Sequence, residues 1–83
     1  MTGDELMADP LTYLIVFERA EEGGYGAWVP DLPGCFAVGP TREECERVMR
    51  EAIAFHIEGL REFGEPVPPP SAVDAALVSI PAA

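Results

Sequence analysis

The sequence contains few of the residues that usually bind metal ions or form disulfides, with only two cysteines and one histidine among its 83 residues. Cys35 and Cys45 do not have CxxC spacing, and His56 is the single imidazole. This composition argues against a zinc site or a disulfide framework, so we expect no metal and no cofactor. No base or basic cluster is evident near either thiol, so we expect both cysteines to be small buried hydrophobic groups rather than nucleophiles.

Long apolar runs are also absent, since no stretch approaches the roughly 20 residues that a membrane-spanning helix requires. The first ten residues, MTGDELMADP, carry acids where a secretory signal peptide needs positive charge, and they show no clear apolar period. We therefore expect residues 1–10 to be a flexible lead-in that ends at Pro10. We also expect no membrane contact and a cytoplasmic location.

Basic residues are scarce: the sequence has five Lys plus Arg against 15 Asp plus Glu, which gives a formal net charge of -10. Such a charge repels phosphate backbones and attracts basic surfaces. Direct binding of nucleic acid is therefore disfavoured, and a basic protein partner is favoured. Acidity also keeps small proteins soluble, so the charge alone does not decide the function.

The sequence does have enough apolar residues to fold, since 48% of it is hydrophobic and no long polar tract interrupts it. We predict a single domain over residues 11–83. A domain of this size buries only about 60% of the surface that its unfolded chain exposes. We therefore expect self-association into a homodimer or tetramer, which buries apolar surface that one copy cannot cover.

The first half of the chain predicts three short antiparallel strands. The run LTYLIVF is β-branched and aromatic, Gly23 and Gly24 suit a tight hairpin turn, and YGAWV supplies the returning strand. Two prolines and Gly34 predict an ordered loop before the third strand, which Gly39-Pro40 ends. The predicted segments are strands at Leu11–Phe17, Tyr25–Val29 and Phe36–Val38, with the loop at Pro30–Cys35.

The second half of the chain predicts one long helix. Thr41 and Glu44 have the spacing of a capping box, in which each side chain bonds the other residue's amide. Apolar residues then recur every three or four positions on one face, and Gly64 suits the left-handed position that ends a helix near Phe63. The proline-rich EPVPPP favours an extended connector that returns along the sheet. Ala75–Ile80 is predicted as a last strand, which Pro81 stops at an edge.

Several residues are candidates for binding rather than catalysis. Tyr25 and Trp28 fall on opposite faces of the second strand, so we expect one ring to face outward beside the DLPG loop. The alternative, in which both rings pack in the core or in a homo-oligomer interface, is equally open. His56 lies on the apolar face of the helix, where a packed histidine is the simplest interpretation and an oligomer contact with pH-dependent association is the alternative. The predicted partner-binding residues are Tyr25, Trp28, Asp31, Leu32, Pro33 and Gly34.

The acids of the chain raise the alternative of a two-metal nuclease, which needs several carboxylates converging within a few ångströms. Glu43 and Glu44 are explained by the positive end of the helix dipole, and Asp31 is explained by turn geometry before Pro33. The sequence shows no convergence of these acids with Glu18. We therefore predict no catalytic residues.

The order of these segments resembles the HicB-like antitoxin family. The resemblance covers Tyr13 to Pro70 and rests on GGYGAWVPDLPGC, a glycine just before the capped helix TREECERVMREAIAFHIEGL, and the FGEPVPPP exit. The DLPG tetrapeptide alone is a weak signal. Its combination with the TxEE helix start, the EAI and HIEGL segments and the proline-rich exit, all in the right order, is a strong one.

The resemblance implies an α+β fold of β-β-β-α-β order, with an antiparallel sheet and one packed helix, likened to a reduced ribonuclease H core without its active site. It further implies a non-enzymatic antitoxin that binds and occludes a small basic HicA-type toxin, which cleaves messenger RNA. Many relatives add a C-terminal DNA-binding segment, and the chain ends at Ala83 without one, so we expect no DNA binding. Some relatives are solitary, so a solitary oligomeric protein-binding module is the alternative.

Overall fold

A computed structural model describes residues 11–82, which contain three antiparallel strands followed by one helix. The strands β1, β2 and β3 form one sheet in the order β1-β2-β3, so β1 and β3 are its two edges. The predicted α+β class, with an antiparallel meander before one long helix, is confirmed. The elements are β1 at Val16–Arg19, β2 at Tyr25–Trp28, β3 at Phe36–Gly39 and α1 at Arg42–Glu62.

The hairpin between β1 and β2 forms as predicted, but β1 starts later than the apolar run suggests. Val16 pairs with Trp28 as the first rung and Arg19 pairs with Tyr25 as the last. Beyond Trp28 the chain turns at Pro30, which has no amide hydrogen to donate. Residues 11–15 therefore have no strand partner in β2, although Tyr13 and Ile15 still pack against the core.

The helix begins and ends where the sequence predicts. The amide of Glu44 donates to Oγ1 of Thr41 at 3.1 Å, which is one half of the predicted capping box. The other half is wrong, because the Glu44 carboxylate accepts from Nε of Arg47 at 2.9 Å instead of from the Thr41 amide. Gly64 has φ of 70°, and the amide of Glu65 donates to the carbonyl of Leu60, so a left-handed glycine ends the helix.

The core lies between the sheet and one face of α1. Ala27 and Ala37 pair across β2 and β3, and their small side chains admit the helix against the sheet. Both cysteines are buried, which confirms the prediction for their side chains, and burial raises the pKa of each thiol. The fully or nearly fully buried side chains are those of Ala27, Val29, Leu32, Cys35, Ala37, Cys45 and Met49.

The chain after the helix returns to the sheet but does not form the predicted last strand. Ser71 and Ala72 bind Asp31 at the end of β2, so the extended connector does lead back as expected. The prediction of a strand at Ala75–Ile80 is wrong for the single chain, because these residues have no ladder partner and are exposed. We call residues 73–80 the C-terminal segment.

The lead-in predicted for residues 1–10 lies outside the described residues. Within residues 11–82, the structure contains no helix with the length and apolarity needed to cross a membrane.

Candidate protein-binding site

The face of the sheet opposite α1 carries large apolar side chains that are partly or largely exposed to solvent. Residues that pair across neighbouring strands share a face, and side chains alternate along each strand. Val16, Trp28 and Phe36 form one row across the three strands, and Val38 lies two residues further along β3. Trp28 is 43% exposed, Phe36 is 70% exposed and Val38 is 69% exposed. We call Val16, Trp28, Phe36 and Val38 the outer patch.

A cleft of about 730 Å³ adjoins the outer patch at the hairpin end of the sheet. The cleft forms because Gly26 has no side chain. Gly26 pairs with Glu18 in β1 on one side and with Val38 in β3 on the other. Glu18 and Glu22 line this cleft, together with Arg19. The arrangement gives an apolar surface next to a recess that carries two carboxylates.

Three carboxylates of the helix, those of Glu44, Glu46 and Glu51, form ion pairs with arginines, in contrast to those of the hairpin within residues 11–82. Glu46 accepts from Arg42 at 2.9 Å and from Arg50 at 2.6 Å, and the hydrogen bond from Arg50, followed by that from Arg42, lowers the pKa of its carboxyl group. Arg47 likewise bonds Glu44 and Glu51. Among residues 11–82, no ion pair engages Glu18, Glu21 or Glu22 of the hairpin. Carboxylates without an ion pair in the described chain therefore lie beside the outer patch, and they outnumber the single hairpin arginine, Arg19.

The structure separates the two aromatic rings of β2 as the sequence predicts. Tyr25 pairs with Gly39 and packs against the core on the helix side, with the Arg19 guanidinium 6.0 Å from its ring centroid. Trp28 lies on the outer face, in the row with Val16 and Phe36. The outward-facing ring is therefore that of Trp28.

The DLPG loop does not present its four residues as one surface. Leu32 is 0% exposed and belongs to the core, so its side chain is not accessible to a partner. Pro33 and Gly34 are exposed, and Gly34 has φ of 85°, which a glycine adopts without strain. The amide of Cys35 closes the loop by donating a hydrogen bond to the Leu32 carbonyl at 3.1 Å.

Asp31 holds the connector in place. Its Oδ2 accepts from the amides of Ser71 and Ala72, each at 2.9 Å, and its Oδ1 accepts from the Ser71 hydroxyl at 2.8 Å. The hydrogen bonds that the amides of Ala72 and then Ser71 donate are the main cause of the lowered pKa of this carboxyl group. Asp31 thus joins the DLPG loop to Ser71, which lies 40 positions later in the chain. The position of Asp31 before Pro33 does not reveal this role.

Phe36 and Val38 are outer-patch residues that the sequence prediction did not name. The signal for them is the alternation in Phe36-Ala37-Val38, where a small residue between two large ones marks the helix-facing side. His56 is half-buried on α1, and its role as an oligomer contact stays a prediction. Within residues 11–82, no group of three or more His, Cys, Asp or Glu side chains is placed to hold a metal ion.

Comparison with known proteins identifies relatives over most of the chain. A 14.9 kDa protein of Haemophilus phage HP1 is 45% identical over 58 residues, which are 70% of this chain and 43% of that protein. Antitoxin HicB 1 of Photorhabdus laumondii is 34% identical over 71 residues, which are 86% of this chain and 46% of that one. The chain therefore spans less than half the length of either of these two relatives.

A solved structure and a protein family extend the comparison. A chain in the structure titled HicA3 and HicB3 toxin-antitoxin complex matches with a TM-score of 0.63 and 34% identity, over 74% of this chain and 72% of that one. The family described as HicB-like antitoxin of bacterial toxin-antitoxin system matches residues 13–81. This chain belongs to the HicB-like antitoxin family of bacterial toxin-antitoxin systems.

Proposed function

We propose that this chain neutralises a small basic HicA-type toxin by binding it through the outer patch and covering its messenger-RNA-cleaving site. The observation that carries the proposal is the exposed row of Trp28 and Phe36, with Val38, beside hairpin carboxylates that form no ion pair in the described chain. The structural relative found in a HicA3 and HicB3 complex supports a partner of this kind. The proposed role requires no catalysis by this chain.

The apolar part of the surface supplies the affinity in this proposal. Exposed aromatic side chains at the centre of an interface carry much of its binding energy, and tryptophan is among the residues most enriched there. Phe36 and Trp28 lie in adjacent strands on one face, so a partner that covers one also contacts the other. Asp31 is engaged with Ser71 and Ala72, so its proposed part is to order the loop next to Trp28.

The acidic part of the surface supplies steering and orientation. Oppositely charged surfaces accelerate encounter, and a recess with carboxylates suits an arginine or lysine side chain from a basic partner. Glu18 and Glu22 line the recess next to Val38. A basic toxin would therefore place a cation there while its apolar surface covers the outer patch.

The test is titration calorimetry of the full chain with its HicA-type toxin, using two matched variants. Phe36→Asp places a carboxylate in the outer patch and is expected to weaken binding by about 30-fold or more, as loss of an interface hot spot does. Phe55→Asp changes an equally exposed phenylalanine of α1, 77% against 70%, and is expected to leave affinity unchanged. Both sites are exposed, so neither variant is expected to disturb the fold of the single chain.

Co-expression supplies the second readout. The wild-type chain and Phe55→Asp should restore growth of cells that express the toxin, and Phe36→Asp should not. Absence of calorimetric binding by the wild-type chain to the toxin encoded beside it contradicts the proposal. Equal affinity of Phe36→Asp and wild type contradicts the assignment of the outer patch.

A further inference from the structure

The C-terminal segment has the composition of a strand but no partner within its own chain. Its sequence is VDAALVSI, and it forms neither a helix nor a paired strand. Val73 is 88% exposed, Leu77 is 104% exposed, Val78 is 73% exposed and Ile80 is 74% exposed. Apolar side chains so fully exposed over eight residues are unusual for a segment that belongs to a folded domain.

The point at which this segment leaves the molecule is fixed. Ser71 and Ala72 are bound to Asp31, and the Tyr13 hydroxyl donates to the carbonyl of Pro68. Ala72 and Val73 lie beside Thr12–Leu14, where they line a small recess of about 200 Å³. The segment is therefore anchored at its start next to the chain that leads into β1. The family match, which extends to residue 81, also includes it.

The same molecule offers an unfilled place for a strand. β1 is an edge of the sheet, and a groove of about 540 Å³ runs between residues 11–17 and the first half of α1. One wall carries Leu11, Leu14, Ile15 and Phe17, and the helix contributes Ile53 to the other. An unpaired strand edge beside an apolar groove is the surface that an added strand occupies.

The charge of this groove suits the segment in spite of the acidity of the whole chain. Arg42, Glu46 and Arg50 line the groove and together carry one net positive charge at neutral pH. The C-terminal segment carries a single charge, that of Asp74. Two copies that each have a net charge of -10 therefore meet here without local repulsion.

We propose that the C-terminal segment of one copy forms a fourth strand on the β1 edge of a second copy, and that the second copy returns the same contact. Each chain supplies one unpaired segment and, at the β1 edge, one strand edge beside an apolar groove. A twofold exchange therefore pairs both and closes the assembly as a dimer. The exchange covers the apolar side chains that one copy leaves in water. It also restores, between chains, the strand that the sequence predicts and the single chain lacks.

Sedimentation velocity of the full chain over a concentration series tests the dimer. The wild-type chain is expected to sediment as a dimer, and the double variant Leu77→Asp, Ile80→Asp is expected to dimerise about 100-fold more weakly or worse, because it buries two carboxylates in an apolar groove. Phe55→Asp is the control, since it places a carboxylate at an equally exposed site on α1. Circular dichroism should show the same helix content in all three proteins, because none of these side chains is buried in the single chain.

Only one pattern supports the proposal, in which the double variant is monomeric and Phe55→Asp stays dimeric. A monomeric wild-type chain, a dimeric double variant or a monomeric Phe55→Asp overturns it. Isotope-filtered NMR of a mixture of labelled and unlabelled chains tests the contact directly. Methyl groups of Leu77, Val78 and Ile80 should show NOEs to residues 11–19 of the other copy, and NOEs confined to one chain would show that the segment pairs within its own molecule.

Discussion

Gly39 determines how closely α1 approaches the sheet. A Cβ added at this position would lie 2.7 Å from the Cys45 amide nitrogen and 2.9 Å from the Cys45 Cα, which are backbone atoms of the first helical turn. Backbone cannot move aside as a flexible side chain does, so the helix and β3 would have to separate. We predict that Gly39→Ala lowers the free energy of unfolding by about 1–3 kcal/mol, the usual cost of overpacking.

Urea denaturation followed by circular dichroism measures this change, and Gly59→Ala provides the matched control. An added Cβ at Gly59, within α1, meets no atom within 4 Å. Alanine is the better helix former by up to about 1 kcal/mol, so Gly59→Ala should be as stable as the wild type or more stable. A Gly39→Ala variant with unchanged stability would mean that the helix has room to shift.

The candidate site was partly predictable at the level of single residues. The alternation of strand side chains is enough to separate Tyr25 from Trp28 and to place Phe36 beside Trp28. The burial of Leu32 is not predictable in this way, because a loop residue has no periodic pattern and its exposure depends on how the loop packs against the core. The bonds of Asp31 are equally hidden, because their partners lie 40 and 41 positions away.

Asp31 and the connector form one structural element through charge-assisted hydrogen bonds. The pKa of Asp31 is lowered below its ordinary value of 3.8, chiefly by the Ala72 and Ser71 amides. A carboxyl group whose pKa falls on folding contributes stability that is complete above its unfolded pKa and is lost as the pH falls through its folded pKa. We therefore predict that the connector stays bound at neutral pH and detaches only below about pH 4.

NMR tests this prediction by measuring the pKa of Asp31 from its carboxyl ¹³C titration and the hydrogen-exchange rates of the Ser71 and Ala72 amides. Asp31→Asn should reduce protection of both amides at neutral pH, and acidified wild-type protein should approach the same exchange rates. Asp74→Asn is the control, because within residues 11–82 the one hydrogen bond to the Asp74 carboxylate comes from the adjacent Ala75 amide, at 2.7 Å. An Asp31 pKa at or above 3.8 would contradict the anchoring role.

The elements themselves differ in how far local sequence determines them. The helix is specified locally, since its continuous apolar face is flanked directly by a threonine cap, Thr41, and a left-handed glycine, Gly64. The hairpin is specified by Gly23 and Gly24, which both have positive φ. The strand predicted at Ala75–Ile80 has suitable composition, but a strand also needs an edge to pair with, and no local pattern tells which chain supplies that edge.

At the scale of the whole molecule, the two proposed contacts use different surfaces. The outer patch lies on the sheet face away from α1, whereas the strand exchange uses the β1 edge and the groove beside the helix. Both surfaces can therefore be occupied together, with two toxin molecules on one dimer. Charge contributes unequally to the two contacts, because the hairpin acids lie beside the outer patch and the groove has its own arginines.

This difference predicts how salt acts on toxin binding. If the hairpin carboxylates steer a basic toxin, the association rate should fall by about 10-fold or more as the salt concentration rises from low to high, while the dissociation rate changes little. Stopped-flow fluorescence of Trp28, the single tryptophan, measures both rates. Glu18→Gln combined with Glu22→Gln should flatten the salt dependence of association, and Phe36→Ala should raise the dissociation rate with the salt dependence retained. If the double glutamine variant keeps the wild-type salt dependence, the steering charge lies elsewhere on the chain.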